Sequence, residues 1–135
     1  MAEAPNQGNC NCYTTAINAP CRCGSYADLD PGRTNTGGGY YGALDLSGNL
    51  WEHTVTVGHA SGRTFTGLHG DGELTTNGDA DVTAWPGAGA AGTGFRGGAW
   101  QGADYQVRVS DRGTAAYLTA IRSTAYGCRA ARSAP

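Results

Sequence analysis

The sequence predicts a loop-rich, mostly β domain, and three observations lead there. Apolar residues alternate with period two in short runs, and no sustained 3.6-residue apolar period occurs anywhere. Glycine is abundant, 23 of 135 residues, without a triplet period, so the chain is rich in turns and is not collagen. An apolar fraction of 39% with three Trp is enough for a packed core and argues against disorder. A chain of 135 residues is one domain, with a real but modest core.

Each element follows in order. Residues 1–9 read as a loosely docked tail. Residues 10–26 hold four of the five cysteines, and residues 30–39, which begin Asp30-Pro31-Gly32, form a loop. The segment Tyr40–Leu46 alternates in part. Trp51–Val57 alternates clearly, with Trp51, His53, Val55 and Val57 on one face and Glu52, Thr54 and Thr56 on the other. Residues 58–94 are a long Gly-rich connection, with turn signals at Gly67–Gly72 and Asn77–Asp79. A connection that long is expected to carry short strands or a helical turn, for instance at Asp81–Trp85 ahead of Pro86. Phe95–Trp100 reads as a strand whose glycines permit close backbone approach. Gln106–Asp111 alternates again, with Val107 and Val109 on one face, and Gly127–Ala131 is a short closing strand.

Charge excludes some functions. The net charge is −2, all nine basic residues are Arg, and they form no basic run, so nucleic-acid binding is not expected. Arg96, Arg112 and Arg129 suit paired hydrogen bonds to Asp45 or Asp111. No apolar run reaches membrane-spanning length, so no membrane insertion is expected. Asp71, Glu73, Asp79 and Asp81 make an acidic loop, which reads as a solvated connection.

The pattern Cys10-x-Cys12 … Cys21-x-Cys23 is symmetric about residues 13–20. If that stretch is a hairpin, Cys12 faces Cys21 and Cys10 faces Cys23. Two nested disulfides then staple the ribbon, each contributing about 2–4 kcal/mol, and imply an oxidising compartment. The rival is a four-thiolate zinc site, although structural zinc pairs usually have two to four intervening residues and here there is one. Cys128 is left over and reads as a buried small hydrophobe.

Four motifs follow one another along the chain: Ala43-Leu44-Asp45-Leu46-Ser47-Gly48-Asn49-Leu50-Trp51-Glu52, Gly94-Phe95-Arg96-Gly97-Gly98-Ala99-Trp100, Arg108-Val109-Ser110-Asp111-Arg112 and Gly127-Cys128-Arg129. Their order and spacing resemble the C-terminal half of the formylglycine-generating-enzyme family, a subtype of the C-type lectin fold, over residues 40–132. The resemblance refines the class to α+β: a twisted antiparallel sheet, one or two short helices and much irregular chain. It divides the chain into a tail and cysteine-rich ribbon, residues 1–39, packed on a lectin-like core, residues 40–135.

The resemblance also bears on chemistry. Enzymes of this family activate oxygen at copper held by a cysteine pair shortly after the Arg-Gly-Gly motif. The matching stretch here, Gln101–Arg108, has no cysteine, and without thiolates Cu(I) lacks its soft ligands. The family's oxidase activity is therefore expected to be absent. The related sulfoxide synthases need an iron domain with clustered histidines, and His53, His59 and His69 have no such spacing. Ser47, Ser61 and Ser110 have no elbow or triad context for hydrolysis. Family members can bind calcium at the Gly-Asn-x-Trp-Glu motif, which here implies carbonyls of Gly48 and Leu50 with the Glu52 carboxylate. The plainer reading is that Asn49 takes a tight turn and Glu52 pairs with an Arg.

Diversity-generating retroelements use the same lectin-type scaffold and vary surface positions in its C-terminal region. The segments at 101–105, 113–119 and 123–126 are rich in Tyr, Ala, Ser, Thr, Asp and Gly, all reachable from an Asn codon randomised in its first two bases. In this fold they share one exposed face, so Gln101, Asp104, Tyr105, Tyr117 and Tyr126 are the candidate ligand-binding residues. Tyr offers large contact area at low entropy cost. Half-buried framework positions are the plainer reading of Tyr117 and Tyr126. The expected function is a non-catalytic binding or display domain, outside the cell, at a cell surface or on a phage-like particle, that takes a protein or glycan ligand. The alternatives are a self-assembling subunit of an extracellular filament or surface layer, joined through the ribbon and strand edges, and a copper oxidase with its thiols moved to Cys10–Cys23.

Overall fold

The structure is a computed structural model that describes residues 10–13, 18–25, 41–68, 73–78, 82–86, 89–117 and 120–128. The tail at 1–9, the loop at 30–39, His69, three members of the acidic loop (Asp71, Asp79, Asp81), Arg129 and residues 129–131 of the expected closing strand lie outside these. Strand β1 is Trp51–Val55, helix α1 is Ala60–Arg63, strand β2 is Thr93–Arg96, a 3-10 helix spans Asp104–Val107, and strand β3 is Tyr126–Gly127. The architecture is mixed helix and strand, consistent with the α+β class.

The sheet has the order β2-β1-β3. β1 pairs antiparallel with β2, with His53 opposite Phe95. β1 pairs parallel with β3, with Glu52 opposite Gly127. The sheet is therefore mixed, where an antiparallel one was expected, because the chain returns to the far edge running in the direction of β1. Trp51 N–H donates to the Ala125 carbonyl at 2.8 Å and sets that register.

The strand expected over Trp51–Val57 extends only to Val55, and its burial does not alternate: Trp51 is buried, His53 on the same face is exposed, and Glu52, Thr54 and Val55 are half-buried. Thr56 is buried and its N–H bonds the Gly92 carbonyl, while Val57 is turned out and 80% exposed. The strand expected over Phe95–Trp100 begins earlier and ends at Arg96, because Gly97 and Gly98 both take positive φ and turn the chain. Gln106–Asp111 is not a strand. Its first residues finish the 3-10 helix, and Val109 is 81% exposed, so its period-two pattern has no sheet to face. The turn expected near Trp85 is present, closed by Trp85 N–H to the Val82 carbonyl. The long connection also holds α1, whose N-terminus is capped by His59 Nδ1 accepting from Ser61 N–H.

The core is small and aromatic. Trp51, Phe95, Ala99 and Ala125 are buried together, with Tyr117 and Tyr126 packed against them. Phe95 is the hub: its ring lies 4.1 Å from His53, 4.4 Å from Tyr126, 5.3 Å from Tyr117 and 6.4 Å from Trp51. Losing a buried Phe of this kind costs about 3–5 kcal/mol. Phe65 and Trp85 form a separate pair at 5.2 Å. Residues 114–117 run along the outer side of β2, where Phe95 N–H donates to the Thr114 carbonyl and Thr114 Oγ1 to the Phe95 carbonyl. Gly94 allows this approach, since any Cβ there would collide with the backbone of Ala115.

Candidate functional site

The Gly48-Asn49 turn organises one side of the molecule. Asn49 has φ of 65°, the left-handed conformation Asn tolerates best among side-chain-bearing residues, so the turn expected there is present. Its backbone N–H donates to the Asn11 carbonyl at 2.7 Å, and its carbonyl accepts from Trp100 N–H at 2.9 Å. Its side chain pairs with the backbone of Cys21: Oδ1 accepts from the Cys21 N–H at 2.8 Å, and Nδ2 donates to the Cys21 carbonyl at 3.0 Å. Asn11, 1% exposed, extends the arrangement by donating to the Ala19 carbonyl. The Asn49 side chain thus docks the ribbon on the core, while the Asn11 side chain ties the ribbon to itself.

Those contacts bear on the expected nested disulfides. All five cysteines are thiols, and neither Cys10–Cys23 nor Cys12–Cys21 is bonded. The Cys21 backbone is engaged by Asn49, and the Cys10 and Cys12 sulfurs meet each other at 3.8 Å. Burial, together with the neighbouring Cys12 thiol, pushes Cys10 up to about 12, so it is a poor thiolate at neutral pH. Cys128, expected to be buried, is exposed: it follows the two-residue strand β3 at the sheet edge, where no core covers it.

A cleft of about 230 Å³ opens beside the turn. The three residues of the calcium expectation, Gly48, Leu50 and Glu52, all line it. Asp45, Cys23 and Cys128 line it as well. Asp45 is buried with φ of 52°, and its Oδ2 accepts from Gly24 N–H at 2.6 Å. Among the described residues no group of three or more His, Cys, Asp or Glu side chains is placed to hold a metal.

The expected ligand-binding residues fall into two sets. Tyr117 and Tyr126 come together on Phe95, their rings 6.4 Å apart and edge-on. The hydrogen bond that the Tyr126 hydroxyl donates to Tyr117, assisted by burial, pushes the Tyr126 hydroxyl above its ordinary pKa of 10.0. Both are half-buried framework aromatics with polar tips. Gln101, Asp104 and Tyr105 form the other set, all exposed, with Tyr105 at 54%. Among the described residues none of these three side chains has a hydrogen bond or ring contact.

The backbone beneath that second set is held tightly. Gly102 accepts from Tyr13 N–H of the ribbon at 3.0 Å and donates to the Ala99 carbonyl at 2.8 Å. Ala103 N–H donates to the Gln106 side-chain Oε1 at 2.9 Å, and Gln106 N–H returns to the Ala103 carbonyl at 2.9 Å. Gln106 is a brace that sequence reasoning missed. Its signal is the three-residue spacing to Ala103, the reach of a capping box without its hydroxyl.

The arginines are used differently from the expectation. Arg96 Nη2 and Arg112 Nη1 converge on the Val109 carbonyl, at 2.5 and 2.8 Å, and Arg112 also bonds the Asp111 carbonyl. Burial and the nearby Arg112 charge lower the Arg96 pKa, opposed by Asp111. They tie down the chain after the 3-10 helix through carbonyls, because the turn at 108–111 presents its carbonyls inward. No protein-family model, curated protein or solved structure matches the chain. Among the described residues no helix is long and apolar enough to cross a membrane.

Proposed function

We propose that this chain is a non-catalytic ligand-binding or display domain, on a frame similar to the formylglycine-generating-enzyme type of lectin fold, working outside the cell or at its surface. Its ligand is a protein or glycan, taken on the face built from residues 101–105 and 113–126. One observation carries the reading: between Gln101 and Tyr105 the backbone is braced from three sides while every long side chain is left exposed and unengaged. A surface with its backbone ordered in advance loses little entropy on binding, and a Tyr beside Asp and Gln provides contact area with polar selectivity.

The test uses labelled protein on a glycan array and against a phage-displayed peptide library. Selected ligands should bind Tyr105→Ala and Asp104→Ala at least roughly tenfold more weakly, as loss of a contact anchor does. The melting temperature should not change, since both side chains are exposed. Binding that survives both substitutions overturns the assignment of this face.

A further inference from the structure

We propose that Cys23 and Cys128 are the two halves of a redox clasp, joined by a disulfide-bearing oxidant into a bond that ties the N-terminal ribbon to β3 across the cleft. The two lie far apart in sequence, one in the cysteine-rich ribbon and one at the end of the last strand, yet line the same cleft of about 230 Å³. Both are exposed, so an oxidant reaches them.

Each is positioned by its neighbours. On one wall, Asn49 holds the Cys21 backbone and Asp45 holds Gly24, which fixes the turn that carries Cys23. On the other, Gly127 sits opposite Glu52 in the β1–β3 pairing, and Cys128 follows directly. Cys10 and Cys12 are in contact with each other, and the thiolate form of Cys10 is disfavoured by burial. A disulfide needs Cα atoms within about 7 Å, so the bond would fix the two walls of the cleft at that separation.

The chemistry balances with a small disulfide such as oxidised glutathione. The thiolate of one cysteine attacks the oxidant, and one glutathione thiol leaves. The second cysteine's thiolate attacks the resulting mixed disulfide, the Cys23–Cys128 bond forms, and the second glutathione thiol leaves. Two electrons pass from the protein to the oxidant, and the two cysteine protons end on the glutathione thiols. The consequence falls on the weakest part of the sheet. β3 is two residues long, and a cross-link closing most of the chain into one loop strongly restricts the unfolded state.

Trypsin separates the candidates. Cleavage after Arg22, Arg33, Arg122 and Arg129 puts Cys23 alone in peptide 23–33 and Cys128 alone in peptide 123–129, while Cys10, Cys12 and Cys21 stay together in 1–22. The full chain, equilibrated with oxidised glutathione, trapped with acid and digested without reductant, should yield 23–33 joined to 123–129. Its melting temperature should rise by roughly 5–15 °C on oxidation. In Cys128→Ser that rise should vanish. Peptide 23–33 joined to 1–22 indicates the nested ribbon pairing and overturns the proposal. So does recovery of Cys23 and Cys128 as thiols or as separate glutathione adducts.

Discussion

The turn at Asn49 and the loop at Gln101–Tyr105 sit on adjoining parts of the chain's hydrogen-bond network and use it in opposite ways. At Asn49 the side chain itself does the tying, with both amide groups on Cys21 and both backbone groups on Asn11 and Trp100. At the loop the backbone is tied and the side chains are left over. A motif residue buried in structural bonds has little left for a ligand. Three unengaged side chains on a fixed backbone remain available to solvent. The difference explains why the more distinctive sequence motif marks the frame and the plainer stretch marks the candidate face.

The largest expected effect is at the turn. Asn49→Ala strands the Cys21 N–H and carbonyl and places a Cβ-bearing residue without Asn's local hydrogen bonding at φ of 65°. We expect a loss of about 2–4 kcal/mol in urea unfolding. Asn49→Gly keeps the conformation and loses only the bonds, so it should recover about 1 kcal/mol of that. If Asn49→Ala unfolds within about 0.5 kcal/mol of the natural chain, the turn is not the anchor described and the contrast fails.

A smaller effect is expected at the loop. Gln106→Ala removes the side-chain acceptor of Ala103 N–H, at a cost of about 1 kcal/mol. The informative reading is local: amide exchange at Ala103 should accelerate while exchange in β1 stays as it was. Unchanged protection at Ala103 would mean that Gln106 does not hold the loop.

How much of this was legible in the sequence follows the same division. The position of β1, the Asn49 turn and the turn before Pro86 could be read directly, because alternating β-branched residues and left-handed turns leave local marks, whereas the partial alternation read at Tyr40–Leu46 forms no strand among the described residues. The parallel pairing of β3 left none, since two residues carry no periodicity and their direction is set by a long return path. Val107 and Val109 imitated a strand because alternation records spacing and says nothing of whether a neighbouring strand exists. The cleft was half legible. Gly48, Leu50 and Glu52 are local in sequence, whereas Cys23 and Cys128 come to the same cleft only through the tertiary fold.

The aromatic core lies between the two regions and allows the finest test, through His53. Its ring lies tilted against Phe95 at 4.1 Å, opposite it in the β1–β2 register, and although the residue is exposed, partial desolvation against that ring pushes its pKa below the ordinary 6.5. The unfolded chain therefore takes up the proton at higher pH than the folded one. Its contribution to stability is complete above about pH 6.5 and is lost as the pH falls through the lower folded value. The melting temperature should decline modestly between about pH 7.5 and 5, a window above the range in which ordinary carboxylates titrate. His53→Phe keeps a ring against Phe95 without a titrating nitrogen and should remove that part of the decline. An equal decline in His53→Phe would overturn this assignment and take the pH sensitivity away from the aromatic face.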